Sequence, residues 1–406
     1  MNELTSIGLI LLLALMAGHL VKVLRIPEVT GYIVVGVALG PSMLGWLSQE
    51  NLVTLGVFSE VALGLILFSV GAVFEFSLFR RIGRQVFFVT VLESVAAAVL
   101  VTGGTLALGQ SWPVALLLGA IAMATAPAST LMVIRECDSA GPLTDSLLGI
   151  IAVNNLLCMS VFGLAAATVD LTTNTAGLAM TDMLYRSAFW FIWQLVGSAA
   201  LGYLIGLLLA GWSSHVTERG ERLILLAGAL LFCVGVSRAL NLSSLVASLA
   251  VGATMVNLSD RSRHLFSALS NTDPPFYAIF FVIAGAELDV AQIPAMGALG
   301  LVYVIGRAAG KFAGARFAGW HLGLDPLVQK FLGFGLQAQA GLAVGLTLAV
   351  DSRYPQFAPV VSTVVLSSVA VFEMLGPAST RFALVRSGEA GLARTSGVDT
   401  ASIAEF

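Results

Sequence analysis

The residues of this chain that could do chemistry are few, and they lie in apolar surroundings. Asn154 and Asn155 are two adjacent amides inside an apolar stretch, residues 150–167. An amide offers a cation one dipolar oxygen and exchanges no proton in the physiological range. Lys311 stands at the middle of another apolar stretch, with Arg307 one turn earlier on nearly the same face. A charge is costly to hold there, so an ionisable residue kept in such a place is a functional candidate. Arg307 reads either as a companion of Lys311 or as a side chain snorkelling to the outer interface. Glu93, in a third stretch, reads either as a hydrogen-bonded carboxylate at a helix contact or as a proton carrier.

The elements that hold these residues follow from composition. Of 406 residues 58% are hydrophobic and 11% charged, with a mean hydropathy of +0.94. A soluble domain cannot hide that much apolar surface, and runs near the roughly 20 residues needed to span a bilayer recur along the chain. About thirteen spans are predicted, from 4–24 to 356–384. The runs are apolar all round, whereas barrel strands alternate over about ten residues. The expected fold is an all-α polytopic membrane protein, with a single transmembrane domain over 1–386 and a short polar cytoplasmic tail over 387–406. Alternate span ends segregate the basic residues. Of the 20, Arg186, Arg238 and Arg353 fall on one side, Arg307 and Lys311 fall inside a span, and the rest share the other side. Basic loops stay in the cytoplasm, which predicts an external N-terminus, a cytoplasmic C-terminus and a multi-pass protein of the inner (plasma) membrane. The first apolar run reads as a retained span, without a basic leader or a small-residue cleavage site.

Two spans carry helix breakers at their middles. The fifth, 112–134, contains Thr125, Ala126, Pro127, Ala128, Ser129 and Thr130; the proline removes a backbone donor, and nearby hydroxyls can serve the freed carbonyls. The twelfth, 326–350, contains Gly333, Gly335, Gln337, Gln339 and Gly341. Seven spans separate them, an odd number that reverses direction. Paired broken helices of opposite direction are how inverted-repeat transporters place half-helix ends around a midplane site. Either span alone reads equally well as a proline kink or as glycine-mediated packing. In the eleventh span, Gly306, Gly310 and Gly314 form a flat strip for close helix contact.

Other chemistries find little support. Cys137, Cys158 and Cys233 propose neither a disulfide framework nor a metal site, and His19, His215, His264 and His321 lack ligand spacing. No set of nucleophile, base and oxyanion donors converges, so no enzyme, no cofactor and no nucleic-acid partner is expected. Arg135, Glu136 and Asp138 read most simply as a solvated cytoplasmic loop.

The chain resembles the monovalent cation/proton antiporter superfamily, in the branch of bacterial sodium/proton and potassium/proton exchangers. The resemblance is carried by Ile26-Pro27-Glu28-Val29-Thr30-Gly31-Tyr32, Leu39-Gly40-Pro41, Phe68-Ser69-Val70-Gly71, the Thr125-Ala126-Pro127-Ala128 break, Gly310-Lys311 and Gln337-Ala338-Gln339-Ala340-Gly341. It implies a homodimer in the lipid bilayer, with a dimerisation domain and a core domain that carries the crossed broken helices and moves like an elevator. Na+ or K+ and H+ are the implied substrates. Lys311 matches the basic residue beside the site, and Asn154 and Asn155 fall on an acidic pair whose second aspartate binds the cation and carries the proton.

Here this sequence departs from the family, because competition between a proton and a cation for one carboxylate cannot operate at Asn155. The implied ion site comprises Asn154, Asn155, Thr125, Ser129, Gln337 and Gln339, with Asn155 and Thr125 nearest a monovalent cation and Lys311, Arg307 and Glu93 compensating charge or coupling protons. Several readings stay open. The amides are replacements that hold one state; the titratable group has moved to Glu93, Glu287 or Asp289; Lys311 carries the proton; or Lys311 and Arg307 favour an anion, with no coupled proton antiport.

Overall fold

A computed structural model of the chain describes residues 3–24, 26–71, 76–173, 189, 192–213, 215–216, 218–258, 274–290 and 293–392, and the statements below concern these. Arg25, Arg186, Arg261, Arg263 and Arg394, which enter the charge split, and residues 393–406 of the expected tail lie outside the described residues.

Among the described residues there is helix and no strand. In chain order the helices are α1 (Glu3–Val23), α2 (Glu28–Leu39), α3 (Gln49–Gly71), α4 (Phe76–Ala107), α5 (Trp112–Ala122), α6 (Pro127–Glu136), α7 (Pro142–Thr173), α8 (Ser198–Ser213), α9 (Arg219–Ala239), α10 (Ser244–Leu258), α11 (Pro274–Ala286), α12 (Gly297–His321), α13 (Pro326–Gly335), α14 (Gly341–Arg353) and α15 (Ala358–Ser387). Eight stretches are long and apolar enough to cross a membrane, one of them the broken α5–α6 pair. The apolar surplus sits on outward faces such as Leu12, Met16 and Leu20 of α1 and Leu208 and Trp212 of α8, which suits a bilayer solvent.

One packing scheme occurs twice. In the first half α4 packs on α5 and α7, and α5 on α7; in the second α12 packs on α13 and α15, and α13 on α15. The halves meet through α4 against α12, α2 against α11 and α3 against α10. The last two contacts match even in their glycines. A Cβ on Gly36 of α2 would lie 2.1 Å from the Val282 carbonyl oxygen, and one on Gly285 of α11 would lie 2.3 Å from that of Ile33. Between α3 and α10 the same holds for Gly71 with Leu249, at 2.3 Å, and Gly252 with Phe68, at 2.0 Å. Such approaches bring backbones into dispersion contact where lipid supplies no hydrophobic driving force.

One expectation changes. Residues 135–138 are no solvated loop, since they tie helices together: Arg135 Nη1 donates to the Tyr277 hydroxyl at 2.9 Å, and Glu136 accepts from the Glu28 amide at 2.9 Å and from Arg381 at 3.5 Å. Packing also continues beyond residue 386. Glu389 is buried and caps the start of α7, accepting from the Leu143 amide at 2.7 Å and from the Thr144 amide and hydroxyl at 2.8 and 2.7 Å. A carboxylate there satisfies otherwise orphaned N–H groups and complements the positive helix end.

Candidate ion site at the meeting of two helix breaks

The two predicted breaks are present and they touch. α5 stops at Ala122, a non-helical segment ends in the extended Ala126, and Pro127 opens α6, where its missing N–H costs nothing. α13 stops at Gly335 and α14 begins at Gly341. The Ala126 amide donates to the Ala338 carbonyl at 2.9 Å, joining one break to the other.

Each break leaves carbonyls without helical partners, and α12 answers both with cations. Its glycine strip makes this possible: a Cβ on Gly310 would lie 2.4 Å from the Ala97 Cα, and one on Gly314 would lie 2.5 Å from the Glu93 Cα. At that approach Lys311 meets Glu93. Its Nζ donates to Glu93 Oε2 at 2.7 Å, to the Met123 carbonyl at 3.0 Å and to Thr125 Oγ1 at 2.8 Å, which uses all three protons. Both side chains of the pair are fully buried. Arg307, one turn earlier, is also fully buried and does not snorkel. Its guanidinium donates to the carbonyls of Gln337, Ala124 and Ala338 at 2.7, 2.7 and 3.1 Å and lies 4.2 Å from the Phe372 ring centre. Positive charge at the C-terminal ends of α5 and α13 opposes their dipoles.

Asn154 closes the network in a way a carboxylate could not. Its Oδ1 accepts from the Thr125 amide at 2.9 Å. Its Nδ2 shares two protons among Glu93 Oε1 and Ser94 Oγ, each at 2.9 Å, and the Met123 carbonyl at 3.0 Å. Ser94 Oγ donates to the same Glu93 oxygen at 2.9 Å. An aspartate here would still accept from Thr125, but it would set two carboxylates in contact and lose every donor. The amide at 154 is thus the complement of the acid at 93.

The other expected residues lie near the breaks in different states. Asn155 and Ser129 are buried, and Asn155 Oδ1 and Ser129 Oγ have no partner. Gln339 Nε2 donates to the Tyr303 hydroxyl at 2.9 Å and the Ile121 carbonyl at 3.2 Å, leaving its oxygen unpartnered. The Gln337 amide turns back to the Gly333 carbonyl at 2.7 Å. Ser94, Tyr303 and Phe372 were not anticipated; Ser94, beside Glu93 in an apolar run, was the one visible signal. Lys311 is paired to Glu93, whereas Arg307 meets only neutral carbonyls and its Nε has no partner. The three cysteines are free thiols, and burial pushes that of Cys137, outside the helices, up to about 11.

The chain is 28% identical over 301 residues to "Iron transporter MagA" of Paramagnetospirillum magneticum, a match covering 71% of this chain and 64% of that protein. It is 26% identical to the Na(+)/H(+) antiporter of Enterococcus hirae, over 89% of this chain and 94% of that one. The fold matches the sodium proton antiporter MjNhaP1 from Methanocaldococcus jannaschii with a TM-score of 0.71 at 16% identity, over 97% of each chain. The family model for the transmembrane sodium/hydrogen exchanger spans residues 8–384, and the chain is a multi-pass membrane protein of that cation/proton antiporter family.

Proposed function

We propose that the protein exchanges Na+ or K+ for protons, and that the Glu93–Lys311 pair does what an acidic pair at 154 and 155 would otherwise do. The observation that carries this is the fully buried 2.7 Å ion pair, held against a helix break by Thr125 and Asn154. Glu93 and Lys311 together carry no net charge. A monovalent cation that takes the place of the Lys311 proton beside Glu93 preserves that neutrality, so one cation moves per proton and the cycle is electroneutral. Asn155 and Ser129 supply unpartnered buried oxygens, and Thr125 Oγ1 and the Met123 carbonyl pass from Lys311 to the cation.

Alternating access by an elevator motion is supported by where the site lies. Every residue of the Glu93 network belongs to α4–α7 and α12, whereas α3, α8, α9 and α10 pack around a separate apolar cluster that includes Phe68, Leu209, Leu230 and Met255. We assign the first group, with α13–α15, to a moving core and the second to a homodimer frame in the lipid of the inner (plasma) membrane, N-terminus outside and C-terminus in the cytoplasm. The transporter domain then covers 1–386 with Glu389 docked on it, and the remaining tail is cytoplasmic. The relatives' names differ in their ions, so cation identity rests on measurement.

Proteoliposomes loaded with a pH gradient test this reading. Adding Na+ or K+ collapses the gradient in the native protein without generating a membrane potential, and Glu93→Gln abolishes the effect. Exchange undiminished in Glu93→Gln would remove the pair from the mechanism.

A further inference from the structure

Glu373 lies in the middle of α15 and is 2% exposed, and neither of its carboxylate oxygens has a hydrogen-bond partner. It lines a cavity of about 300 Å³ that also takes in Glu287 and Asp289 beyond the end of α11, Ser367, and Ala340 and Gly341 at the second break. Among the described residues, no basic one lines the cavity. Its volume is that of on the order of ten waters, enough for a partly hydrated ion.

Most charged groups on the helices around α15 are engaged elsewhere, and Arg316 of α12 is exposed. On α12, Arg307 and Lys311 serve the breaks, and Arg307 reaches α15 only through the Phe372 ring. On α6, Arg135 and Glu136 belong to the network with Tyr277, Glu28 and Arg381. On α14, Arg353 pairs with Asp170 and Asp351 accepts from Ser362; on α13, Lys330 rests over Phe331. An ionised carboxylate left without donor or counter-charge at this depth is heavily penalised. A proton or a cation relieves the penalty, and the cavity gives access to both.

The repeated packing scheme gives the position meaning. α7 stands to α4 and α5 as α15 stands to α12 and α13. α7 presents Asn154 to the first break. α15 passes directly against the second, where a Cβ on Gly376, three residues after Glu373, would lie 2.6 Å from the Ala338 Cα. The helix at the first break thus carries amides, and the helix at the second carries an acid.

We propose that Glu373 is a second monovalent-cation site, at which Na+ or K+ displaces a proton, with Glu287 and Asp289 drawing cations to its mouth. This rests on the reading that the chain handles monovalent cations, and it goes beyond exchange at Glu93 and Lys311. A divalent ion is not the expected occupant, since no group of three or more metal-ligating side chains is gathered among the described residues.

The test is proton release from the purified full chain in weakly buffered detergent, read by a pH-indicator dye on adding NaCl or KCl, with choline chloride as the blank. Glu373→Gln should release about one proton fewer per chain than the native protein. Glu373→Asp should restore the release, and infrared difference spectra should show a protonated-carboxyl band that cations bleach in the native protein but not in Glu373→Gln. Release that is unchanged in Glu373→Gln, or a native protein with neither release nor a bleached band, overturns the proposal. The double variant Glu93→Gln with Lys311→Met separates the two readings. If it keeps the full native release, the Glu93 mechanism fails while the Glu373 site stands, because the proton then comes from Glu373.

Discussion

The first helix break and the second differ in how their polar groups are used. Around Thr125, Lys311 spends all its protons, both Glu93 oxygens accept, and Asn154 uses both ends of its amide. Around Ala338 the backbone is served by Arg307, but Gln337 Oε1, Gln339 Oε1 and both oxygens of Glu373 have no partner. The same packing scheme therefore holds one network closed around Glu93, with only Asn155 Oδ1 and Ser129 Oγ unpartnered beside it, and one network left open at its carboxylate. A closed network fixes geometry and loses heavily when a member is removed; an open one sacrifices stability for the capacity to take something up.

The contrast predicts changes of opposite sign. Removing Lys311's charge as Lys311→Met leaves Glu93 buried without its counter-ion. The expected loss is about 3–5 kcal/mol, read as a fall in melting temperature in detergent, and most of it returns when Glu93→Gln is added. Arg307→Lys keeps the charge but loses the planar fork that reaches Gln337, Ala124 and Ala338 together. A loss of about 2 kcal/mol is expected from one charge-assisted bond forgone, with slower exchange. Gly376→Ala drives a methyl into Ala338 and costs about 1–3 kcal/mol by overpacking, read as a lower melting temperature in detergent. Glu373→Met, in the open network, should raise stability by about 1 kcal/mol, because an unsatisfied group leaves. A loss there as large as that for Lys311→Met would erase the distinction between the two breaks.

The parts of this arrangement that rest on local backbone chemistry were legible. Pro127 and the glycines around Gln337 marked both breaks, and Gly310 and Gly314 announced the close contact that carries Lys311. What required the fold was partner choice. Glu93 and Lys311 are 218 positions apart, and nothing near Glu93 says whether it faces a helix or a cation. Arg307 reads equally well as snorkelling until its carbonyl partners are seen. Asn154 looks like a lost carboxylate in isolation, and only the acid opposite it explains the amide. Glu373 obeyed the rule that singled out Lys311, an ionisable residue inside an apolar span, but it lies outside every motif that drew attention. Glu389 fell in what composition marks as a tail, and its capping of α7 depends on where α15 ends.

The central claim is that exchange proceeds with amides at 154 and 155, and it is tested most directly by cation-driven proton flux in proteoliposomes, comparing the native protein with Asn155→Asp. The account predicts that Na+ or K+ dissipates the pH gradient in the native protein, and that Asn155→Asp alters affinity or stoichiometry but does not create the activity. A native protein silent toward both cations, beside an active Asn155→Asp, would contradict it and identify the amide pair as the lesion.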